Sequence, residues 1–225
     1  MTRTRLRRIA LVAALAGATA LAPPPRPAAA KEATVQCANL IYAGNRTSRC
    51  FSDQFLSEVQ KKTTIATERR FKPVKLAADE LFQFPFVVMT GEGDFHLTST
   101  ERDNLKAYLE GGGFLLASAG CSNKEWDRAF RRETRAIFGD EALKDVPMDH
   151  PLFRTVNKVE NLKASKGASE VLLQGVEIGG KLVCIYSANG LNDTANTQGC
   201  CCCGGSEIYN SLEVNVNIFA YALMY

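Results

Sequence analysis

The sequence predicts an α/β protein with a mostly parallel, twisted sheet, helices on both faces and one antiparallel hairpin. Short apolar runs alternate with helical patterns from residue 35 to residue 138. Two of these runs, residues 85–89 and 114–117, are continuously apolar, which is typical of strands covered on both faces. Later, Gly179 and Gly180 separate two further strand-like runs and indicate a two-residue hairpin turn. Alternating strands and helices imply right-handed crossovers and a parallel sheet.

The first 30 residues have the pattern of an export leader. Four arginines lie among the first eight residues, and residues 9–22 are an unbroken run of apolar and small residues. This run is shorter than the roughly 20 residues that span a bilayer, and prolines follow it. Three alanines end at Ala30, where we place cleavage by a signal peptidase. We therefore expect a periplasmic or extracellular protein; Arg7 and Arg8 leave both the general secretory and the twin-arginine routes open.

The mature part, residues 31–225, is predicted to be one domain without a transmembrane segment. Removal of the leader takes away five arginines and no acids, so the formal net charge falls from +3 to −2. No basic stripe with interleaved aromatic residues remains, which argues against a nucleic-acid binder. A chain of this length can bury one sizeable core.

The first half of the mature chain predicts four strands, three of them followed by a helix and one by a turn or short helix. Residues 35–42 form a strand, and Ser52 is expected to cap the helix that follows. Residues 71–77 form a second strand, and residues 79–84 a turn or short helix before the buried strand at 85–89. Thr98 and Glu101 form a capping box that opens the next helix, and glycines 111–113 end it. The strand at 114–117 then turns at residues 119–123 into a helix carrying Trp126.

The second half predicts the hairpin and a closing helix. Residues 171–178 and 181–187 form the hairpin strands, with Cys184 buried and inert in the second. Residues 188–210 have no periodicity, and long loops of this kind are often functional. Residues 212–224 favour a helix, although the alternation that begins at Val214 leaves a strand open.

Several blocks of sequence resemble the domain-of-unknown-function family 4159, and the resemblance covers nearly all of the mature chain. The blocks are residues 84–93 (FPFVVMTGEG), 112–116 (GGFLL), 126–127 (WD), 130–131 (FR), 149–151 (DHP) and 216–217 (VN). That family looks related to the class I glutamine amidotransferase-like, flavodoxin-like domains. The resemblance implies the same parallel sheet but no particular activity, because a fold does not fix a function.

Cys121 is the first candidate for catalysis, with His150 as its base. Cys121 lies between a buried strand and a helix N-terminus, where amide groups favour a thiolate. The resemblance places the amidotransferase nucleophile at this point, in a Gly-x-Cys-x-Gly turn. Residues 119–123 here are Ala-Gly-Cys-Ser-Asn, so neither glycine matches. The alternatives are a structural or disulfide-bonded Cys121 and a His150 that only caps the turn fixed by Pro151.

A candidate ligand site follows the strand at 85–89. Its predicted residues are Gly91, Glu92, Gly93 and Asp94, joined by Ser122 and Asn123 from the turn after the next strand. Amides of the glycines could hold an anion, but the two acids oppose a phosphate, and the glycines alternatively serve only the turn. Parallel strands present their carboxyl ends at one edge of a sheet, so the two turns are expected to be neighbours.

Four consecutive cysteines form the most unusual feature of the sequence. Cys200, Cys201, Cys202 and Cys203 could hold zinc or copper, bond to Cys37, Cys50 or Cys121 as disulfides, or act in thiol redox chemistry. Consecutive side chains diverge, so four ligands on one metal ion are not expected. If the first hairpin strand is antiparallel to the sheet, the loop at 188–210 starts at the Cys121 edge and can lie over it.

The sequence favours a noncatalytic exported module that binds a small molecule or a protein partner at this edge. A cysteine-dependent hydrolase or amidotransferase-like enzyme is the second hypothesis, and a metal or thiol-redox protein is the third. No cofactor is required by any motif, and the sequence does not identify the ligand or the partner.

Overall fold

The computed structural model describes residues 34–47, 51–164, 171–192 and 207–225. The predicted leader, Cys50 and the four consecutive cysteines lie outside these residues, so the expectations for them stay predictions. The described chain is a mixed α/β fold consistent with a flavodoxin-like architecture: a seven-stranded sheet, mostly parallel, with four α-helices. Among the described residues, no helix is long and apolar enough to cross a membrane.

The elements alternate along the chain as the hydrophobic pattern predicts. The strands are β1 (Ala38–Ile41), β2 (Lys72–Lys75), β3 (Phe86–Gly91), β4 (Phe114–Ala119), β5 (Leu143–Asp145), β6 (Gln174–Ile178) and β7 (Lys181–Ser187). The α-helices are α1 (Gln54–Lys62), α2 (Ser99–Glu110), α3 (Lys124–Phe138) and α4 (Ser211–Met224). Short 3₁₀ turns cover Asp79–Gln83, Gly120–Ser122 and Pro151–Arg154.

The strands lie in the order β2-β1-β3-β4-β7-β6-β5. The first five strands of this order are parallel, and β6 is antiparallel to both β7 and β5. The carboxyl ends of β1, β2, β3, β4 and β7 therefore lie at one edge, called here the carboxyl edge, and their starts lie at the opposite amino edge. Because β7 is parallel to β4, the chain leaves Ser187 at the carboxyl edge, as predicted.

Each face of the sheet is covered by two helices, and each has its own apolar core. Helices α1 and α4 pack on the face that carries Val88, Leu116 and Ile185, and helices α2 and α3 cover the opposite face. The chain from Glu32 to Tyr225 forms one compact unit, and its described segments contain both cores.

Local signals in the sequence set most helix ends. The Thr98 hydroxyl accepts from the Glu101 amide while the Glu101 carboxylate accepts from the Thr98 amide, which confirms the capping box. Gly112 takes a φ of 95° just after α2, as expected of a glycine at a helix end. The cap predicted at Ser52 is wrong: α1 begins at Gln54, with Asp53 in the capping position and the Ser52 hydroxyl accepting from the Gln54 amide.

Four further outcomes concern the second half of the chain. The hairpin turns at Gly179 and Gly180 with φ of 60° and 79°, and Cys184 is buried with 1% of its surface exposed. Residues 212–224, for which both a helix and a strand were open, belong to the helix α4. Strand β5, only three residues long, was missed because so short a segment has no measurable periodicity.

Candidate functional site

The order of the strands creates a crevice at the carboxyl edge between β1 and β3. From β1 the chain crosses to β2 on one side, and from β3 it crosses to β4 on the other. The loops that leave β1 and β3 therefore diverge, and ligands of open α/β sheets bind at such points. The turn at residues 42–46 and the loop at residues 91–94 line this crevice, and the Arg46 guanidinium donates to the Glu92 carbonyl across it at 3.1 Å.

Strained backbone concentrates at the carboxyl edge. In the described part of the chain, the non-glycine residues with positive φ are Ala43, Cys121 and Ser122, with φ of 45°, 52° and 53°. Ala43 lies in the turn after β1, and the other two follow β4 directly. Left-handed backbone costs an ordinary residue roughly 1 kcal/mol, and such residues cluster at functional sites.

The structure brings the predicted ligand loop and the Cys121 turn together. The Asn123 side-chain oxygen caps α3 by accepting from the amides of Glu125 at 3.1 Å and Trp126 at 2.9 Å. The same oxygen accepts from the Gly93 amide at 3.0 Å, which fastens the loop after β3 to the start of α3. The Gly93 amide is therefore already engaged, so it is not available for the anion that the glycine pattern allowed.

The Cys121 thiol lies beside a carboxylate. Its sulfur is 3.4 Å from Oε1 of Glu92, a distance at which the thiol donates a hydrogen bond. Cys121 and Ser122 are both half-buried, so the turn forms part of the surface of the crevice.

The ends of β3 and β4 are packed too closely for a side chain larger than that of glycine at two positions. A Cβ on Gly91 would lie 2.3 Å from the Tyr42 hydroxyl oxygen, and one on Gly120 would lie 2.7 Å from the Gly91 carbonyl oxygen. The buried Tyr42 hydroxyl accepts from Nε1 of Trp126 at 2.6 Å and donates to the Thr90 carbonyl at 3.1 Å. Trp126, expected in the core, is fully buried there.

Polar side chains replace apolar ones at the carboxyl ends of β3, β4 and β7, on the face covered by α1 and α4. Thr90, Ser118 and Ser187 stand opposite one another at the ends of β3, β4 and β7, and all three are fully buried. The Thr90 hydroxyl donates to the side-chain oxygen of Asn192 at 3.3 Å, and the Asn215 side-chain nitrogen donates to the Leu191 carbonyl at 2.8 Å.

Two atoms of this polar layer have no hydrogen-bond partner in the described structure. They are the side-chain nitrogen of Asn192 and the side-chain oxygen of Asn215, on residues with at most 1% of their surface exposed. Buried polar groups are normally satisfied by protein or water, so the layer has spare capacity for a polar group.

Charged side chains form the outer rim beside α3. Arg132 pairs with Asp94 at 2.9 Å and lowers the pKa of that exposed carboxyl. A groove of about 370 Å³ opens between Asp94, Glu125, Arg128 and Arg132. The rim therefore presents both signs of charge rather than a purely anionic or cationic surface.

His150 lies elsewhere, at the amino edge. Its Nδ1 accepts from the Leu152 amide at 3.1 Å, its ring packs 5.4 Å from that of Tyr221, and burial lowers its pKa. It lines a cavity of about 80 Å³ with Glu177 and Leu182, which flank the hairpin turn at the start of β7. Strand β7 begins at this amino edge and ends at the carboxyl edge, where Cys121 lies. The length of β7 therefore separates His150 from Cys121, and the structure does not bring the two residues together. His150 instead caps the 3₁₀ turn that begins at Pro151, which was the alternative prediction for this residue.

Metal binding finds no support within the described residues. No group of three histidine, cysteine, aspartate or glutamate side chains there could hold an ion. Cys37 and Cys184 are free and buried, and burial raises the pKa of both thiols, that of Cys37 to about 12. The metal and redox predictions for residues 200–203 lie outside this region.

Sequence reasoning missed the contribution of the β1 turn and of the polar layer. Ala43, Arg46, Asn192 and Asn215 belong to the site only because β1 lies beside β3 and α4 packs under β4 and β7. The one local signal was the polar Gly-Asn pair after β1, which predicts a turn but does not show which loops lie beside that turn.

The fold and this edge define a class of α/β proteins with a mostly parallel sheet and a crevice where the strand order reverses. Within that class, the profile of the family described as Domain of unknown function (DUF4159) matches residues 36–223. The chain belongs to that family. A search of curated proteins found no match.

Proposed function

We propose that this protein is an exported, noncatalytic module that binds a small polar ligand in the crevice between β1 and β3. The observation that carries the proposal is the concentration of left-handed, non-glycine backbone at Ala43, Cys121 and Ser122 around this crevice. Strain of this kind persists where surrounding structure enforces it, and it is typical of ligand sites. The predicted leader supports the exported location.

The chemistry of the lining favours a ligand that is polar and carries both hydrogen-bond donors and acceptors. Arg46 donates to the Glu92 carbonyl and Arg132 pairs with Asp94, but each guanidinium has five N–H groups and each carboxylate several lone pairs, so donors and acceptors are left for a ligand. The rim has no excess of one charge. A simple phosphate is disfavoured because the Gly93 amide is engaged and two carboxylates stand where the anion would lie.

Amide chemical shifts test the location of the site. Protein labelled with nitrogen-15, covering residues 31–225, is titrated with separate pools of amino acids, dicarboxylates, sugars and nucleosides. We expect a binding pool to shift the amides of Gly44, Gly93 and Ser122 and to spare Gly179 and Gly180 at the other edge. Shifts confined to the hairpin edge, or none with any pool, would overturn the proposal.

A strain-relief variant tests the observation itself. Replacing Cys121 and Ser122 together by glycine should leave stability unchanged or raise it by up to about 2 kcal/mol, since glycine adopts positive φ without strain. Binding of the active pool should weaken at least several-fold. A variant that binds as well as the parent protein would show that the strained backbone serves no ligand.

One observation favours a cysteine-dependent enzyme as a second candidate function. Cys121 follows a buried strand, has left-handed backbone and precedes a helix, which is the placement of nucleophiles in strand-turn-helix elbows. The proposed relation to class I amidotransferase-like domains agrees with this placement. The partner in reach is Glu92 rather than His150, because the Glu92 carboxylate lies 3.4 Å from the sulfur and His150 lies at the opposite edge of the sheet.

Labelling distinguishes the two functions. In the enzyme hypothesis, an electrophilic amide or ester probe reacts at Cys121 in the reduced protein, spares the variant Cys121→Ser, and reacts more slowly in Glu92→Gln. Absence of labelling of the reduced protein removes this candidate. The cysteines at 200–203 remain a third proposal, for which metal content after purification without chelator is the measurement.

A further inference from the structure

The amino edge beside β1 and β2 carries five exposed cationic side chains. Lys61 and Lys62 end α1, Arg69 and Arg70 lie in the connection to β2, and Lys72 begins β2. These five residues are called the amino-edge basic patch. The mature chain is predicted to carry a net charge of −2, so the patch has the opposite sign to the domain as a whole.

Backbone and side-chain bonds gather the patch in one place. The connection folds back on α1, because the Thr67 carbonyl accepts from the Gln60 side chain at 2.5 Å and the Thr67 hydroxyl donates to the Leu56 carbonyl at 3.3 Å. Arg69 and Arg70 are thereby held close to the C-terminal end of the helix.

Part of the patch is already neutralised by neighbouring acids. Lys61 pairs with Glu58 and Lys72 with Glu80, each at 2.6 Å. No ion pair to Arg69 or Arg70 occurs within the described chain. The two arginines are therefore available to a partner. The exposed Glu68 precedes them, so the five cations of the patch and the three acids Glu58, Glu68 and Glu80 leave a net charge of +2.

The polypeptide enters the domain through this patch. The Val35 amide donates to the Ala66 carbonyl, the Glu68 amide donates to the Val35 carbonyl, and the Gln36 side chain donates to the Arg70 carbonyl at 2.8 Å. The apolar run at residues 9–22 precedes this point by about 12 residues, which can span roughly 40 Å at most. Before the predicted cleavage after Ala30, this length of chain connects the apolar run to the patch.

We propose that the amino-edge basic patch docks on a membrane surface rich in anionic phospholipid headgroups. Phosphate groups of such lipids attract clustered lysine and arginine. While the predicted leader is still attached and lies in the bilayer, the short connecting chain also raises the effective concentration of the patch at the lipid surface. A nucleic acid is the less suitable partner, because Phe71, the aromatic residue within the patch, packs inward against Phe51 and Phe55 instead of offering a stacking surface.

This orientation also has a consequence for the ligand site, although it does not depend on that site. In a parallel sheet, the start of β1 and the carboxyl edge are opposite ends of the molecule. A domain resting on its amino edge turns the crevice between β1 and β3 away from the lipid.

Vesicle co-sedimentation tests the proposal with the chain of residues 31–225, which contains both cores but no leader. Vesicles of phosphatidylglycerol with phosphatidylcholine are compared with vesicles of phosphatidylcholine alone, at low and at physiological ionic strength. The test variant is the double substitution Arg69→Gln and Arg70→Gln. The control removes two exposed cations from the carboxyl edge, Lys75→Gln and Lys124→Gln, with the same change in net charge.

We expect binding to anionic vesicles only, weaker at the higher ionic strength, and lowered about fivefold for each charge removed from the patch. The control double variant should bind within about twofold of the parent protein. Equal losses in both variants, equal binding to neutral vesicles, or no binding to anionic vesicles would overturn the proposal. So would tighter binding of a single-stranded oligonucleotide, which would assign the patch to nucleic acid.

Discussion

The hydroxyl of Tyr42 joins three elements below the crevice, and its removal should measurably destabilise the protein. In the variant Tyr42→Phe, the buried Nε1–H of Trp126 loses its acceptor at 2.6 Å, and the Thr90 carbonyl loses a donor at 3.1 Å. An unsatisfied buried donor costs about 1–3 kcal/mol, and a lost hydrogen bond about 1 kcal/mol. We therefore expect a loss of about 2–3 kcal/mol in the free energy of unfolding.

The protein offers a convenient probe for this measurement. Trp126 is the single tryptophan, so its fluorescence reports urea unfolding directly from the affected site. The matched control is Tyr209→Phe, which removes a hydroxyl from a side chain that is 83% exposed and should change stability by less than about 0.5 kcal/mol.

A double-mutant cycle isolates the bond itself. Replacing Trp126 by phenylalanine removes the orphaned donor, so the cost of Tyr42→Phe should be about 1–2 kcal/mol smaller in that background, as followed by circular dichroism. A change below about 0.5 kcal/mol in the single variant, or strict additivity in the cycle, would refute the reasoning.

Three further predictions follow from the same edge and core. Gly91→Ala should cost more than about 2 kcal/mol in urea unfolding, because its Cβ has no room, whereas Gly112→Ala, with open space but positive φ, should cost about 1 kcal/mol; equal costs would contradict this. Burial raises the pKa of Cys37 and of Tyr42 to about 12 each, so the unfolded chain loses these protons first. The free energy of unfolding should keep its full value below about pH 9 and fall as the pH rises towards 12, by up to about 1.4 kcal/mol per pH unit for each group. A free energy of unfolding that is constant from pH 8 to pH 11 would contradict this. Asn123→Ala should cost about 1–2 kcal/mol and speed hydrogen exchange in the loop after β3, while Asn123→Asp should keep the helix cap; unchanged exchange would show that the loop is held by other contacts.

The sequence by itself determined the features that depend on near neighbours in the chain. The capping box at Thr98, the glycine turn at residues 179–180 and the buried environment of Cys184 all follow from hydrogen bonds and hydrophobic patterns within a few residues. The rule that parallel strands share a carboxyl edge was also sufficient to bring the loop after β3 to the turn at Cys121.

Tertiary structure alone decided which strands are neighbours, and with them the composition of the site. The position of β1 beside β3 brings Ala43 and Arg46 to the crevice, and the packing of α4 brings Asn215 to the polar layer at the end of β4. His150 was paired with Cys121 because histidines are few, yet the fold places them at opposite edges. Strand order is set by the burial of two apolar faces along the whole chain, so no local pattern could reveal it.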